Sequence, residues 1–571
     1  MMAGLVLMAA ANAGVLLGSS AILRRIRTGR PSTDLVLFLL VRLALISSGV
    51  LAAGLTRTVS PLGLALPAIL CLVGLLATGE HRRLPSLKWP AVGPWLTVFA
   101  AIIGVRLLLQ VWFFTPHLGD PLAYHLPKIA EWIQARGFTR EMGVHTHVPF
   151  PAGFELIETW WVVFLKHDVL IEFAGVEFLI LAFAAVRALA ERYGTSERGA
   201  FIAALLFVLV PGLHLSTTSC LNDTPAAALV VATLALVACR VHPLLLLMAA
   251  GLGVGVKPTY GFALPGMILL AWLNRKQAAS PAPGRGFACT LSLLGAFAGG
   301  FWYVRNLIWF GNPFHPLGSP NLEDPTPVQF GARLSSLGDN LLDLANVRIY
   351  DHAALYGPNV DHMAGWGCAA FACGLVGLVV VLKDRPEMRG LAGAFCLSLA
   401  STLTLVQNDP WCLKYVFFFP ALLSVTAVQL AERLPECRPI LAGAILLSFL
   451  GTCFSYDLRP QHVRVLAAQP WRERTAARFA YGEVTMEVPD SRIGYFGAPT
   501  GAAYLLYRPD FSRQVVYLRS SSFEAFLEDA GHAQVRTVFA PQAGPAQKRI
   551  LDEGVRLGRL RLLSGCFYAL R

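Results

Sequence analysis

The sequence predicts an all-α polytopic membrane protein of about fourteen transmembrane helices, followed by a small C-terminal α/β domain. Three observations carry this reading. Of 571 residues, 55% are hydrophobic and 14% charged, where soluble chains average about 25% charged. Several apolar runs approach or exceed the roughly 18–20 residues that cross a bilayer. Beyond residue 456 the pattern changes, and short β-branched and aromatic runs alternate with amphipathic ones.

The first apolar run, Gly4 to Leu23, has no basic residues before it, and Arg24-Arg25 follow it. That order fits a retained span and not a cleaved signal peptide. Further spans are expected at 35–56, 62–78, 91–114, 169–189, 200–216, 225–240, 243–256, 260–273, 286–309, 364–382, 390–406, 415–431 and 438–455. Cysteines such as Cys71, Cys239, Cys373 and Cys453 sit inside apolar runs, and no CxxC pair occurs. Neither a disulfide framework nor a zinc site is indicated.

The connections between these spans fall into two classes. RRIRTGR (24–30), HRRLPSLK (81–88), ERYGTSER (191–198), NRKQ (274–277), KDRPEMR (383–389) and ERLPECR (432–438) are short and basic. The alternate set is longer and acidic or mixed. It holds the loop after Asp120, STTSCLNDTP (216–225), VKPTYG (256–261), 311–363, QNDPWCLKY (407–415) and everything after Ser455. The positive-inside rule places the first set in the cytoplasm and the second on the exoplasmic side. The net charge of +12 is thereby explained without nucleic acid.

The polar stretch Thr115 to Lys166 interrupts the apolar pattern. In AYHLPKIAEWIQARGF, Leu126, Ile129, Ile133 and Phe138 can share one helical face, with Lys128, Glu131, Gln134 and Arg136 on others. That spacing suits a helix lying on the membrane surface, and 154–165 is a second, aromatic-rich segment of the same kind. In the tail, 492–497, 514–519, 535–540 and 560–570 read as strands. GAAYLLYR, SFEAFLEDA and AQKRILDEGVRL between them read as helices, giving a largely parallel sheet. Gly494 and Gly497 lack the third glycine of a dinucleotide fingerprint and read as a structural turn.

Asp120 follows a span and Asp223 precedes one, both in the long-loop set. A carboxylate there can serve as general base on an acceptor hydroxyl or amine. The competing readings are a turn residue before Pro121 and a helix N-cap in Asn-Asp-Thr-Pro. Lys257, Lys414 and Arg305 stand at or near span ends. Each can pair with a phosphate or snorkel to lipid headgroups. His125, His145 and His147 lack the HxxxH or Cys partner that a metal site would show, so no metal is expected.

In order and sidedness, Asp120…Tyr124, the amphipathic loop, Asp223 before Pro225, GVGVKPTYG, RNLIWFGNPFHPL and LKYVFFFPAL resemble the GT-C superfamily of membrane glycosyltransferases. The resemblance covers about residues 91–455. Within that superfamily, protein mannosyltransferases and lipid A aminoarabinose transferases are most similar. The resemblance implies transfer of a hexosyl or pentosyl group from a polyprenyl-phosphate carrier to an exoplasmic lipid, glycan or protein, with no separate cofactor. It matches Asp120 to the acid of the first exoplasmic loop and Asp223 to that of the second. Lys257 matches the lysine after the Gly-rich segment, and Lys414-Tyr415 stand where relatives often have Arg-Tyr. Tyr124, His125 and Tyr415 are then expected to line the donor and acceptor cleft, with Lys257, Lys414 and Arg305 on the donor phosphate. The implied location is the cell membrane, with site and tail exoplasmic.

The sequence departs from the family at Pro121, where many relatives carry a second acid, and in three spans that precede the usual first one. The expected division is therefore extra helices over 1–90, a catalytic module over 91–455 with loops 115–168 and 311–363, and a domain over 456–571. A polytopic transporter or flippase and an O-antigen ligase or polymerase are the alternatives. A transporter would more often place charges near the bilayer midplane, between broken helices.

Overall fold

The computed structural model describes residues 2–83, 92–113, 116, 120–140, 147–275, 284–317, 334–345, 368–406, 412–453, 464, 467–468, 488–498 and 503–571. Expectations for His145, for most of 311–363, for 407–411 and for most of 465–487 fall outside them. The described chain is a helical bundle with a small mixed sheet at its C-terminal end.

The N-terminal helices are α1 (Met2–Ile26), α2 (Pro31–Leu55) and α3 (Pro61–Ala77), followed by α4 (Pro94–Phe113). Then come α5 (Leu126–Ala135), α6 (Gly153–Val163), α7 (Phe173–Arg192), α8 (Glu197–Val208), α9 (Pro211–Thr217), α10 (Asp223–Ala238) and α11 (Pro243–Val256). The bundle continues through α12 (Leu264–Asn274), α13 (Arg285–Phe310), α14 (Leu334–Ala345), α15 (Cys368–Asp384), α16 (Glu387–Leu405), α17 (Pro420–Arg433) and α18 (Arg438–Cys453). The described part of each expected span falls largely on helix. Among the described residues, however, only 6 helices are long and apolar enough to cross a bilayer alone. The expected span 200–216 is the pair α8 and α9, bent by 71° at Leu209-Val210 ahead of Pro211, because proline cannot continue the hydrogen-bond ladder. Helix α10 has 16 residues, about 24 Å at 1.5 Å per residue, short of the hydrocarbon core. The count of fourteen crossings is therefore not established by helix length.

Small residues set the closest packing. A Cβ on Gly251 would lie 2.4 Å from the carbonyl oxygen of Gly295, and one on Gly255 would lie 2.6 Å from the Cα of Gly299. Helices α11 and α13 thus meet backbone to backbone, as small-xxx-small pairs allow in a membrane. Helix α2 is braced by a buried ion pair from Arg42 to Glu177 on α7, at 2.7 Å. Asn12 of α1 and Trp161 of α6 join the same group.

The basic connections gather at one end of the bundle. Arg24 pairs with Glu80, Arg30 donates to the Cys239 carbonyl and Arg192 to that of Ala238. Arg385 donates to the Tyr193 carbonyl, and Glu432 accepts from the Ser196 amide. Asp223 and Ala238 begin and end the same helix, so Asp223 lies at the opposite end.

The C-terminal sheet has the order β2-β1-β3-β5-β4, from β1 (Arg492–Tyr495), β2 (Gln514–Tyr517), β3 (Thr537–Phe539), β4 (Leu560–Ser564) and β5 (Phe567–Leu570). The first three strands are parallel, as expected, with a 3-10 turn (Ala503–Tyr507) between β1 and β2 and α19 (Phe523–His532) between β2 and β3, while α20 (Pro545–Arg556) leads from β3 to β4. The expected single strand 560–570 is instead an antiparallel hairpin. Gly565, at φ +50°, turns the chain there, which makes Ser564-Gly565 a hairpin signal.

This domain corrects the reading of the surface helix. The apolar face of α5, with Leu126, Ile129 and Ala130, is covered by Tyr504, Leu505, Tyr507 and Phe511. It is covered by protein and not by lipid. Gln134 donates to the carbonyls of Phe511 and Arg513 at 3.0 and 2.6 Å, and the Tyr504 hydroxyl donates to Asp168 at 2.9 Å.

Candidate active site

The site is built at the ends of four elements. Asp120 follows α4 and opens a single π-helical turn, Pro121–His125, that runs into α5. Its side chain is exposed and makes no capping hydrogen bond. A π turn widens the helix by one residue and is frequent at functional sites. Asp223 is the first residue of α10 and is 3% exposed. Asn222 and not Asp223 holds the cap position, so the N-cap reading does not apply. The α10 macrodipole favours a carboxylate there.

Lys257 ends α11, where a cation complements the helix C-terminus. Its Nζ donates to Asp223 Oδ1 at 2.5 Å and lies 4.8 Å from the centre of the Tyr415 ring. The Lys414 Nζ lies 5.5 Å from the same ring. Burial pulls the Lys257 ammonium below its usual range. Asp223 and Asp120 oppose that shift, and Lys414 reinforces it. Asn222 fixes the relation of the two helices by donating to the Val256 carbonyl at 3.2 Å.

Tyr124 joins the group from the π turn. Its hydroxyl is pushed well above the usual range by burial and then by Asp120, Tyr415, Asp223 and Glu155. Its ring is 4.3 Å from that of His125 and 5.3 Å from that of His147. Asp120, Tyr124, Asp223, Lys257, Lys414 and Tyr415 therefore form one electrostatic cluster, although they are scattered over nearly 300 residues of sequence.

His125 and Arg305 lie deeper. The His125 Nδ1 and the Lys128 Nζ each meet Glu155 Oε1 at 2.8 Å. Arg305 is 5% exposed. It donates to the Pro149 carbonyl and to Asn306 Oδ1, and lies over the rings of Trp302 and Trp309. Among the described residues no group of three His, Cys, Asp or Glu side chains is placed to hold a metal ion.

Sequence reasoning missed Glu155, Glu158 and Lys128, which are 0%, 0% and 1% exposed. Burial drives the Glu155 carboxyl up, but Lys128 and His125 hold it down at about 2. Glu158 is pushed well above the usual range by burial and by Glu155 beside it. The available signal was two glutamates at i, i+3 inside an otherwise apolar, aromatic helix, a cost that burial imposes only when partners exist.

No family model matches the chain, and no curated protein matches it. Solved structures do. ArnT from Cupriavidus metallidurans, in a crystal structure bound to undecaprenyl phosphate, aligns with a TM-score of 0.54 at 10% identity, over 83% of this chain and 98% of that one. The oligosaccharyltransferase of Archaeoglobus fulgidus aligns in its apo form with a TM-score of 0.40 at 12% identity, over 78% and 69%. The same enzyme, AglB, in complex with an inhibitory peptide and a dolichol-phosphate, gives 0.38 at 12% identity over the same shares. The chain thus shares the fold of ArnT.

Proposed function

We propose that the protein is an integral membrane glycosyltransferase. It moves a hexosyl or pentosyl group, with inversion, from a polyprenyl-phosphate carrier to an acceptor lipid, glycan or protein on the exoplasmic side. The observation that carries this reading is the Asp223–Lys257 pair at 2.5 Å, with Lys414 at the same Tyr415 ring and the exposed Asp120 close enough to act on Lys257, at one end of a bundle that shares its fold with ArnT. Asp120 takes the proton of the acceptor hydroxyl or amine. The freed lone pair bonds to the anomeric carbon as the bond to the phosphate oxygen breaks, and that electron pair leaves on the carrier phosphate. Lys257 and Lys414 stabilise the phosphate charge. Asp223 holds the Lys257 ammonium from behind at 2.5 Å and so aims it. Arg305 donates to the Pro149 carbonyl and to Asn306 and serves to fix that backbone.

Purified protein is given labelled sugar on polyprenyl monophosphate, on polyprenyl pyrophosphate, or free, with membrane extract as acceptor. Label reaching acceptor from the monophosphate alone supports the reading. Transfer from the pyrophosphate alone assigns a ligase or polymerase activity, and label moved between leaflets without bond cleavage assigns a flippase.

A further inference from the structure

Helix α6 is buried on every face, including Glu155, Glu158 and Thr159. Its first residue, Gly153, has no side chain to hold its neighbour off. A Cβ there would lie 2.7 Å from the Gly255 carbonyl carbon and oxygen. The helix therefore starts in backbone contact with the last turn of α11, two residues before Lys257. Two residues along, Glu155 Oε1 meets both Lys128 and His125 at 2.8 Å. These two residues lie at the end of the π turn and in the first turn of α5, so the carboxylate ties down the segment that Asp120 opens.

Three residues further, Glu158 is buried as well, but neither of its oxygens has a hydrogen-bond partner among the described residues.

We infer that α6 is a positioning rack for the reaction: Glu155 sets the Asp120 turn, and Gly153 sets the end of α11 that carries Lys257. The inference rests on the proposed roles of Asp120 and Lys257. Glu155 acts through His125 and Lys128 and is a positioning residue. A single rigid element thereby fixes the separation of base and phosphate cation. A buried glutamate is a costly way to fill a core. A short, directional arm repays that cost because displacing a reacting group by about 1 Å can cost 10²-fold in rate.

The test compares Glu155→Gln and Gly153→Ala in the full-length protein, with backbone hydrogen exchange, carrier-lipid binding and turnover measured together. Glu155→Gln should speed exchange over 120–128 and leave 253–257 unchanged. Gly153→Ala should do the reverse. In Glu155→Gln, carrier affinity should hold while turnover falls by about 10–10²-fold, a loss confined to the transition state. Should Glu155→Gln not accumulate, Glu155→Asp keeps the charge on a shorter arm and should show the same exchange pattern. Loosening of both segments alike in either variant, or unchanged exchange with normal turnover, would overturn the rack. A wild-type protein that transfers no sugar would instead sink the proposed function, while the exchange pattern would still decide whether α6 holds the two segments.

Discussion

At the scale of single residues, the site is an arrangement of charge around two lysines. Lys257 is held between Asp223 and the Tyr415 ring, and Lys414 lies over the same ring. Replacing either lysine by alanine should weaken use of the donor by about 1.5–3 kcal/mol, the range of hydrogen bonds to charged groups. Steady-state titration of carrier-linked sugar measures this, and unchanged donor affinity in both variants would leave them as residues that only snorkel. Asp223→Asn should cost less than loss of the general base, because the amide can still accept from Lys257. Turnover equal to that of an Asp120 variant would move the proton transfer to Asp223. The sequence displayed Asp120, Asp223, Lys257 and Lys414 by their places at span ends. It did not display the Asp223–Lys257 pair, because the contact joins the start of one helix to the end of the next. Glu155 and Lys128 were hidden for another reason. Their charges cancel inside the protein, and an amphipathic reading assigned Lys128 to a wet face.

At the scale of elements, the surface helix and the C-terminal domain form one unit. The Tyr507 hydroxyl donates to Glu131 Oε1 at 3.1 Å and meets the Tyr517 hydroxyl at the same distance. Glu131 Oε2 is out of solvent and has no hydrogen-bond partner among the described residues. Burial raises the Glu131 carboxyl to about 8, against smaller downward pulls from Tyr507, Lys128 and Arg519. Between its ordinary value of 4.5 and about 8, the folded protein therefore binds more protons at this group than the unfolded chain. The stability it contributes is full below that window and is lost as pH rises through it. Glu131→Gln should flatten this part of the pH dependence and raise the melting temperature at pH 8 and above. Melting curves of both proteins in detergent across pH 5–9 check this, and parallel curves would contradict it. The amphipathic pattern of α5 was legible, but its covering was not, since periodicity marks a face to be buried without saying against what. The hairpin of β4 and β5 was missed because 560–570 is apolar apart from Arg561 and a Ser-Gly turn that a strand reading absorbs.

At the scale of the whole molecule, the two classes of connection sort to opposite ends. Basic loops meet one another through Arg24, Arg30, Arg192 and Arg385. The acids and lysines of the site meet at the other end. This sorting was readable from loop charge alone, because alternation of spans converts sequence order into sides. A reporter active only outside the cytoplasm should work when fused after Arg571 and be silent at Lys276. Activity at Lys276 would reverse the sides and remove the site from the exoplasmic face. The central claim is that Asp120 is the base of a sugar transfer from a lipid phosphate. The most direct measurement is single-turnover release of polyprenyl phosphate from labelled donor by wild-type and Asp120→Asn protein of equal thermal stability and equal carrier binding. The predicted result is a fall of about 10²–10⁴-fold, the contribution of a positioned base. Near-normal release by a stable, carrier-loaded Asp120→Asn protein would contradict it.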